Sequence, residues 1–219
     1  MIGVVKIAAA MATTGVMTLA SIPGEASAAT ISFLPNDQQG SDALDVDLTI
    51  TDIGTVVQFD LTVNTVAGGG NIADLRGFFF DIGGTFGSGY TALGADITAF
   101  EADKGNVNNL GGGVNINGSG QDRFDFGVAF GSPGIGSNDI QSTSFLFGLT
   151  GGTVTSADFF GQKVAIRGTS TGLLGSSRDG SSKTGGTVSQ LSVIPLPGTG
   201  WLLIAGLGGL GAMRRFRKS

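Results

Sequence analysis

The sequence contains neither cysteine nor histidine among its 219 residues. Without cysteine the chain forms no disulfide, no thiolate nucleophile and no zinc–thiolate site. Without histidine it lacks the most common general base, the usual imidazole ligand of metals and the side chain that titrates near neutral pH. We therefore expect a protein that is not an enzyme.

Glutamate and the polar aromatic residues are also scarce. Between residues 29 and 194 the only glutamate is Glu101 and the only Trp or Tyr is Tyr90. Glycoside hydrolysis needs a pair of suitably spaced carboxylates, which chance pairs of Asp residues could supply, whereas sugar-binding clefts favour Trp and Tyr as stacking platforms. The composition therefore argues against a glycosidase and weakens carbohydrate binding by stacking.

Positive charge is sparse in the central part of the chain. Residues 29–194 carry 7 Lys and Arg against 16 Asp and Glu, a net charge of −9, compared with −5 for the whole chain. Nucleic-acid binding needs clustered cations, and these are scattered along the sequence. We therefore expect no nucleic-acid partner. The scattered cations include Arg76, Lys104, Arg123, Lys163 and Arg167.

Glycine is abundant and proline is rare, with 40 and 5 copies respectively. This ratio excludes collagen and proline-rich disorder and is typical of a turn-rich β protein. Apolar and polar residues alternate over Leu44–Ile50 and Val57–Val63, which predicts two strands joined by a hairpin turn at Gly54. Further strands are predicted at Ile31–Leu34, Leu75–Ile82, Ala95–Ala102, Gly113–Asn117, Phe124–Phe130, Ser142–Leu149, Lys163–Gly168 and Thr187–Val193.

These short strands predict an all-β fold, a single β-sandwich or jelly-roll-like domain over residues 29–192. A short helical turn is expected at Ser156–Phe160, with Ser156 as its cap. Residues 173–186 are rich in Gly and Ser and predict a flexible segment. Phe78 and Phe80 are expected to point into the core and Phe79 to the opposite face of its strand.

Several of the 15 aspartates lie close to Asn and Gly, which suggests calcium, since calcium takes six to eight oxygen ligands from such loops. Asp122 and Asp125 are the first candidates for metal ligands. The alternative is that these side chains bond the local backbone in turns. No other cofactor is expected.

The amino-terminal residues 1–28 predict a secretory signal peptide. Lys6 gives the positive region, an apolar stretch follows, and Ala26-Ser27-Ala28 gives the small-residue cleavage site. The predicted partners at this end are the secretion translocon and signal peptidase.

The carboxyl-terminal residues 193–219 divide into a proline motif, an apolar run and a basic tail. The 20 residues Ile194–Met213 carry no charge, and as a helix they would reach about 30 Å, the thickness of the hydrocarbon core of a membrane. They predict one transmembrane helix, with the basic tail in the cytoplasm and the domain outside. The apolar anchors are Trp201, Leu202, Leu203, Ile204, Leu207 and Leu210, and the basic stop is Arg214, Arg215, Arg217 and Lys218.

Pro195-Leu196-Pro197, the Gly/Leu-rich run and the Arg-rich end resemble the PEP-CTERM sorting signals of Gram-negative bacteria, in the variant that reads Val-Pro-Leu-Pro-Ala. Ile194 and Gly198 replace the Val and Ala of that variant. The resemblance implies recognition and cleavage by a membrane-embedded exosortase. A rival resemblance is present, because residues 196–200 also fit the Leu-Pro-x-Thr-Gly signal of Gram-positive sortases.

The sequence therefore predicts an exported, non-enzymatic protein of the cell surface or extracellular matrix, anchored in the membrane before processing. The alternative is a calcium-binding or polysaccharide-binding module with the same sorting signal.

Overall fold

A computed structural model describes residues 28–32, 39–40, 42–118, 123–132 and 139–189. Within these ranges the protein has eleven strands and one short 3-10 helix, and no helix is long and apolar enough to cross a membrane. The strands are β1 (Ala28–Ser32), β2 (Gln39–Gly40), β3 (Val46–Ile53), β4 (Val56–Val63), β5 (Asn71–Phe80), β6 (Tyr90–Leu93), β7 (Ile97–Val107), β8 (Phe124–Phe130), β9 (Ser142–Leu149), β10 (Lys163–Leu173) and β11 (Gly180–Thr187).

The strands form two antiparallel sheets. The five-stranded sheet has the order β1-β3-β4-β9-β6, and the six-stranded sheet has the order β2-β11-β10-β5-β8-β7. Apolar side chains from both sheets pack against one another in a single large cluster between them. The predicted all-β fold is confirmed, and the architecture is that of a β-sandwich.

The predicted hairpin of β3 and β4 is confirmed. Ile53 pairs with Val56 across the turn, and Gly54 adopts a φ of +66°, which favours glycine. In both strands apolar side chains are buried at alternate positions because only one face of this sheet is covered.

The six-stranded sheet is covered on both faces. Strand β8, which lies between β5 and β7, is buried along its whole length. Phe78 and Phe80 point into the main core as predicted, while Phe79 is buried in a second, smaller cluster on the outer face. That cluster is closed by residues 108–118, here called the outer loop, which contributes Val114 and Ile116.

The outer loop approaches the sheet closely where β5 has a glycine. A Cβ on Gly77 would lie 2.5 Å from Val114 Cγ1, which is closer than side-chain atoms pack. The absence of a side chain at residue 77 therefore makes room for the second cluster.

The prediction of a strand at Gly113–Asn117 is wrong. The segment belongs to the outer loop and makes one isolated bridge, between Asn109 and Asn115. The reason is local, since Gly111, Gly112 and Gly113 have φ values of +80°, +56° and +83°, which turn the chain away from an extended path.

The prediction of a flexible segment over residues 173–186 is wrong in its second half, because β11 begins at Gly180. β11 has almost no apolar residues, and its backbone pairs with β10 from Lys163 to Thr171. Of the predicted strand at Thr187–Val193, Thr187 is the last residue of β11 and residues 188–189 are not in a strand, while residues 190–193 lie outside the described part of the chain.

The predicted helical turn is present as a 3-10 helix, Ser156–Phe159, but its cap is Thr155 and not Ser156. The backbone N–H and the hydroxyl of Thr155 both donate to Asp158 Oδ2, at 2.8 and 3.1 Å. Ser156 instead donates from its backbone N–H and hydroxyl to the two carboxylate oxygens of Asp52.

Candidate functional site

Most of the residues predicted to act in sorting lie outside the described part of the chain. This holds for the proline motif, the apolar run, the basic tail and Ala26, and also for Asp122. Ala28 is the first residue of β1, and Asp125 lies in β8.

Asp125, the second candidate metal ligand, accepts hydrogen bonds from two backbone amides. Its Oδ1 accepts a hydrogen bond from the backbone N–H of Gly105 at 2.8 Å, and its Oδ2 accepts one from Ile82 at 3.3 Å. The bond from Gly105 lies at the irregularity in β7 where residues 103–106 leave the ladder with β8, and the bond from Ile82 ties the segment after β5 to β8. Over the residues that the structure describes, no three His, Cys, Asp or Glu side chains are grouped so that they could hold a metal ion.

Asp81 lies beside Asp125 and connects it to a lysine. Asp81 Oδ1 accepts the backbone N–H of Asp125 at 2.9 Å, and Lys163 Nζ lies 3.5 Å from Asp81 Oδ2. Burial raises the pKa of the Asp81 carboxyl above its ordinary value, because its desolvation outweighs the bond from Asp125 and the attraction of Lys163. The same Lys163 ammonium lies 5.3 Å from the centre of the Phe124 ring.

Three arginines line a depression of about 320 Å³, here called the basic pocket. Arg76 comes from β5, Arg167 from β10 and Arg178 from the loop between β10 and β11. Gly112 and Gly113 of the outer loop form part of its rim. The pocket is therefore built by strands of the six-stranded sheet together with the loop that covers its outer face.

Two of these arginines are held by acidic partners. The Arg76 side chain is buried, its Nε lies 3.9 Å from Asp74 Oδ2, and its Nη1 donates to the carbonyl oxygen of Phe130. Arg178 donates from Nη1 to Asp139 Oδ2. Burial raises the pKa of the Asp74 carboxyl, opposed by the N–H of Ile140 and by Arg76.

Arg167 differs from the other two arginines. Within the described ranges it takes part in no ion pair, and its buried Nε has no hydrogen-bond partner. Its Nη1 makes only a long contact of 3.5 Å to the carbonyl oxygen of Ser182. Burial lowers the pKa of the Arg167 guanidinium, as expected for a cation that is desolvated without compensation.

A fourth cation adjoins the basic pocket. Lys183 of β11 is the direct cross-strand partner of Arg167. Its Nζ donates to Asn115 Oδ1 at 3.1 Å and to the carbonyl oxygen of Asn117, which ties the outer loop to the sheet. Burial and the charge of Arg167 both lower the pKa of Lys183.

Sequence reasoning did not find this pocket. Arg178 and Lys183 fall in the segment predicted to be flexible, and Arg76 and Arg167 count among the scattered cations. Four of the seven Lys and Arg residues between 29 and 194 nevertheless gather on one face, which sequence separation alone does not reveal. The one local signal is Lys183. It lies in a Gly/Ser-rich stretch that can form a strand and pair with the strand before it.

Asp179 also contributes to the lining, so the basic pocket is not purely cationic. Asp74 and Asp139 balance Arg76 and Arg178, so with Asp179 the three arginines face three carboxylates, and the adjoining Lys183 leaves an excess of one positive charge. Oriented guanidinium groups in such a site can hold oxyanions by charge-assisted hydrogen bonds. Comparison with known proteins adds no assignment, since no family model, curated protein or solved structure matches this chain.

Proposed function

We propose that the protein is an exported, non-enzymatic protein of the cell surface or extracellular matrix, and that it is the substrate of an exosortase-type sorting protease. The observation that carries this proposal is the order of three features in residues 193–219. The 20 residues Ile194–Met213 carry no charge, the proline motif lies at their amino-terminal end, and a basic cluster follows Met213 at once.

The arrangement of the described residues is compatible with this proposal. β1 begins at Ala28, where the predicted signal peptide ends, and β11 ends at Thr187, before the proline motif. Removal of residues 1–28 would take only the first residue of the edge strand β1, so both proposed targeting segments could be removed without cutting a central strand.

Pro195 and Pro197 are the proposed recognition element, because proline excludes regular helix where an extended peptide must enter a protease. The double variant Pro195→Ala/Pro197→Ala is expected to accumulate in the membrane with its carboxyl-terminal segment intact. Intact mass spectrometry of the membrane and extracellular fractions measures this. Pro133→Ala, which removes a proline elsewhere, is the control, and normal processing of the double variant would refute the proposal.

A second substitution separates the two sorting classes. Thr199 belongs to the sortase motif Leu196–Gly200 but lies outside the Pro195–Pro197 motif. Thr199→Ala is therefore expected to leave processing unchanged if the protease is of the exosortase type. Loss of processing in this variant would assign the protein to the sortase class instead.

The second candidate function is a ligand-binding module with the same sorting signal, and the basic pocket is the observation that favours it. Its lining of arginines suits an anion better than calcium. A melting experiment with calcium tests the calcium alternative, because a ligand that binds only the folded state raises the melting temperature.

A further inference from the structure

The charge arrangement around Arg167 is unfavourable for the protein alone. Arg167 and Lys183 are like charges at directly opposed positions of an antiparallel pair, an arrangement that destabilises a sheet. The Arg167 guanidinium is also partly desolvated, and its Nε lacks a hydrogen-bond partner in the described structure. A bound anion would offset the repulsion between Arg167 and Lys183, and it would accept a hydrogen bond from Arg167 Nε.

The neighbouring arginines are positioned before any ligand arrives. Asp74 and the Phe130 carbonyl fix Arg76, and Asp139 fixes Arg178. Fixed donors lose little conformational entropy on binding, which strengthens recognition of a small group. Arg76 and Arg178 therefore line the pocket in fixed positions. Arg167 is the lining arginine whose charge has no carboxylate partner in the described residues.

The remainder of the basic pocket is polar and open to a small ligand. Ser170 and Ser181 are among its lining residues. Gly112 and Gly113 carry no side chains at the rim, and no atom lies within 4 Å of the position where either Cβ would stand. The volume of about 320 Å³ is at the lower end of the range for ligand pockets, which favours a single charged group over a large apolar molecule.

We propose that the basic pocket binds an oxyanion group, a sulfate, phosphate or carboxylate, held chiefly by Arg167 between Arg76 and Arg178. The group belongs either to a small free anion or to an acidic polysaccharide that presents it. This site goes beyond the proposed sorting function, since it would act in the folded domain whichever protease processes the chain.

The test uses the full chain purified in detergent at constant ionic strength. Sodium sulfate, sodium glucuronate, the polyuronate alginate and neutral dextran are titrated separately, and binding is followed by calorimetry and by the melting temperature. Arg167→Gln removes the central cation, and Lys104→Gln removes one charge from an exposed position on β7 as the matched control.

The expected result is saturable binding of sulfate or glucuronate that weakens about tenfold or more in Arg167→Gln, because one charge-assisted hydrogen bond is lost. Lys104→Gln should bind as the original chain does, and dextran should not bind. Alginate binding in competition with sulfate identifies a polymer as the source of the group, whereas binding of the small anions alone identifies a free ligand.

Two results would overturn the proposal. One is the absence of saturable binding by any of the three anionic probes. The other is binding that persists unchanged in Arg167→Gln, which would place the anion elsewhere. Because sulfate also stabilises proteins by exclusion from their surface, a rise in melting temperature counts only where calorimetry shows saturation. Neither result depends on how the two termini are processed.

Discussion

Arg167 on β10 and Lys183 on β11 lie directly opposite each other in the antiparallel ladder of the six-stranded sheet. Their partners differ, since Lys183 donates to Asn115 and Asn117 of the outer loop while Arg167 takes part in no ion pair in the described part of the chain. Lys183 therefore attaches the outer loop to the sheet, whereas the charge of Arg167 forms no comparable contact in the described residues.

Arg167→Gln is expected to stabilise the protein in the absence of ligand. Removing one of two opposed cations should raise the free energy of unfolding by about 0.2–1 kcal/mol, the scale of a cross-strand charge pair. Urea denaturation at low salt measures this. A marked loss of stability in Arg167→Gln would show that the guanidinium holds the sheet together, which would contradict this account.

Phe59→Ala is expected to be among the most destabilising substitutions. The Phe59 ring is fully buried and contacts five other rings at centroid distances from 5.0 to 6.1 Å. These rings belong to Phe78, Phe80, Phe145, Phe147 and Phe159. Truncation leaves a cavity and should lower the free energy of unfolding by about 3–5 kcal/mol. Val66→Ala, at a side chain that is 91% exposed, is the control and should stay within about 0.5 kcal/mol.

Gly77→Ala tests the attachment of the outer loop. The new methyl group would meet Val114 Cγ1 at 2.5 Å, and such overpacking should cost about 1–3 kcal/mol of unfolding free energy. Gly87→Ala is the matched control, because no atom lies within 4 Å of its Cβ position and its φ is not in the left-handed region. Equal stability of the two variants would mean that the loop does not pack as described.

The Asp81 carboxyl predicts a specific pH dependence. Its pKa is raised in the folded state above the ordinary 3.8, chiefly by burial. Between 3.8 and the raised pKa the folded protein binds more protons than the unfolded chain, so this group lowers stability as the pH rises through that window. Asp81→Asn removes the effect and should become more stable relative to the original chain as the pH rises. Unfolding free energies measured from pH 4 to 7 check this, and parallel curves for the two proteins would contradict it.

The fold could be predicted where side-chain pattern determines structure. β3 and β4 each bury one face, so apolar and polar residues alternate along both strands. The hairpin can therefore be predicted from the sequence. The single-sequence pattern fails for β11, which has Gly, Ser and Thr at most positions and is held by backbone pairing to β10. It fails also at Gly113–Asn117, where positive φ angles at the preceding glycines decide the path.

The basic pocket could not be predicted because it depends on which strands become neighbours. Arg76 and Arg167 are far apart in sequence, yet β5 pairs with β10 and places Gly77 opposite Arg167. Nothing in the local residue pattern encodes that pairing. For Asp125 the residue type suggested a metal ligand. In the folded protein its carboxylate instead accepts hydrogen bonds from two backbone amides.

The order of strands in the six-stranded sheet also constrains how the protein is made. Gln39 of β2 pairs with Lys183 of β11, so the earliest and latest segments of this sheet are neighbours. A nascent chain that ends before Gly180 leaves one edge of β10 bare and gives β2 nothing to pair with. Pairings between segments this distant in sequence form slowly, so we expect the six-stranded sheet to be completed only after residues 180–187 have been synthesised.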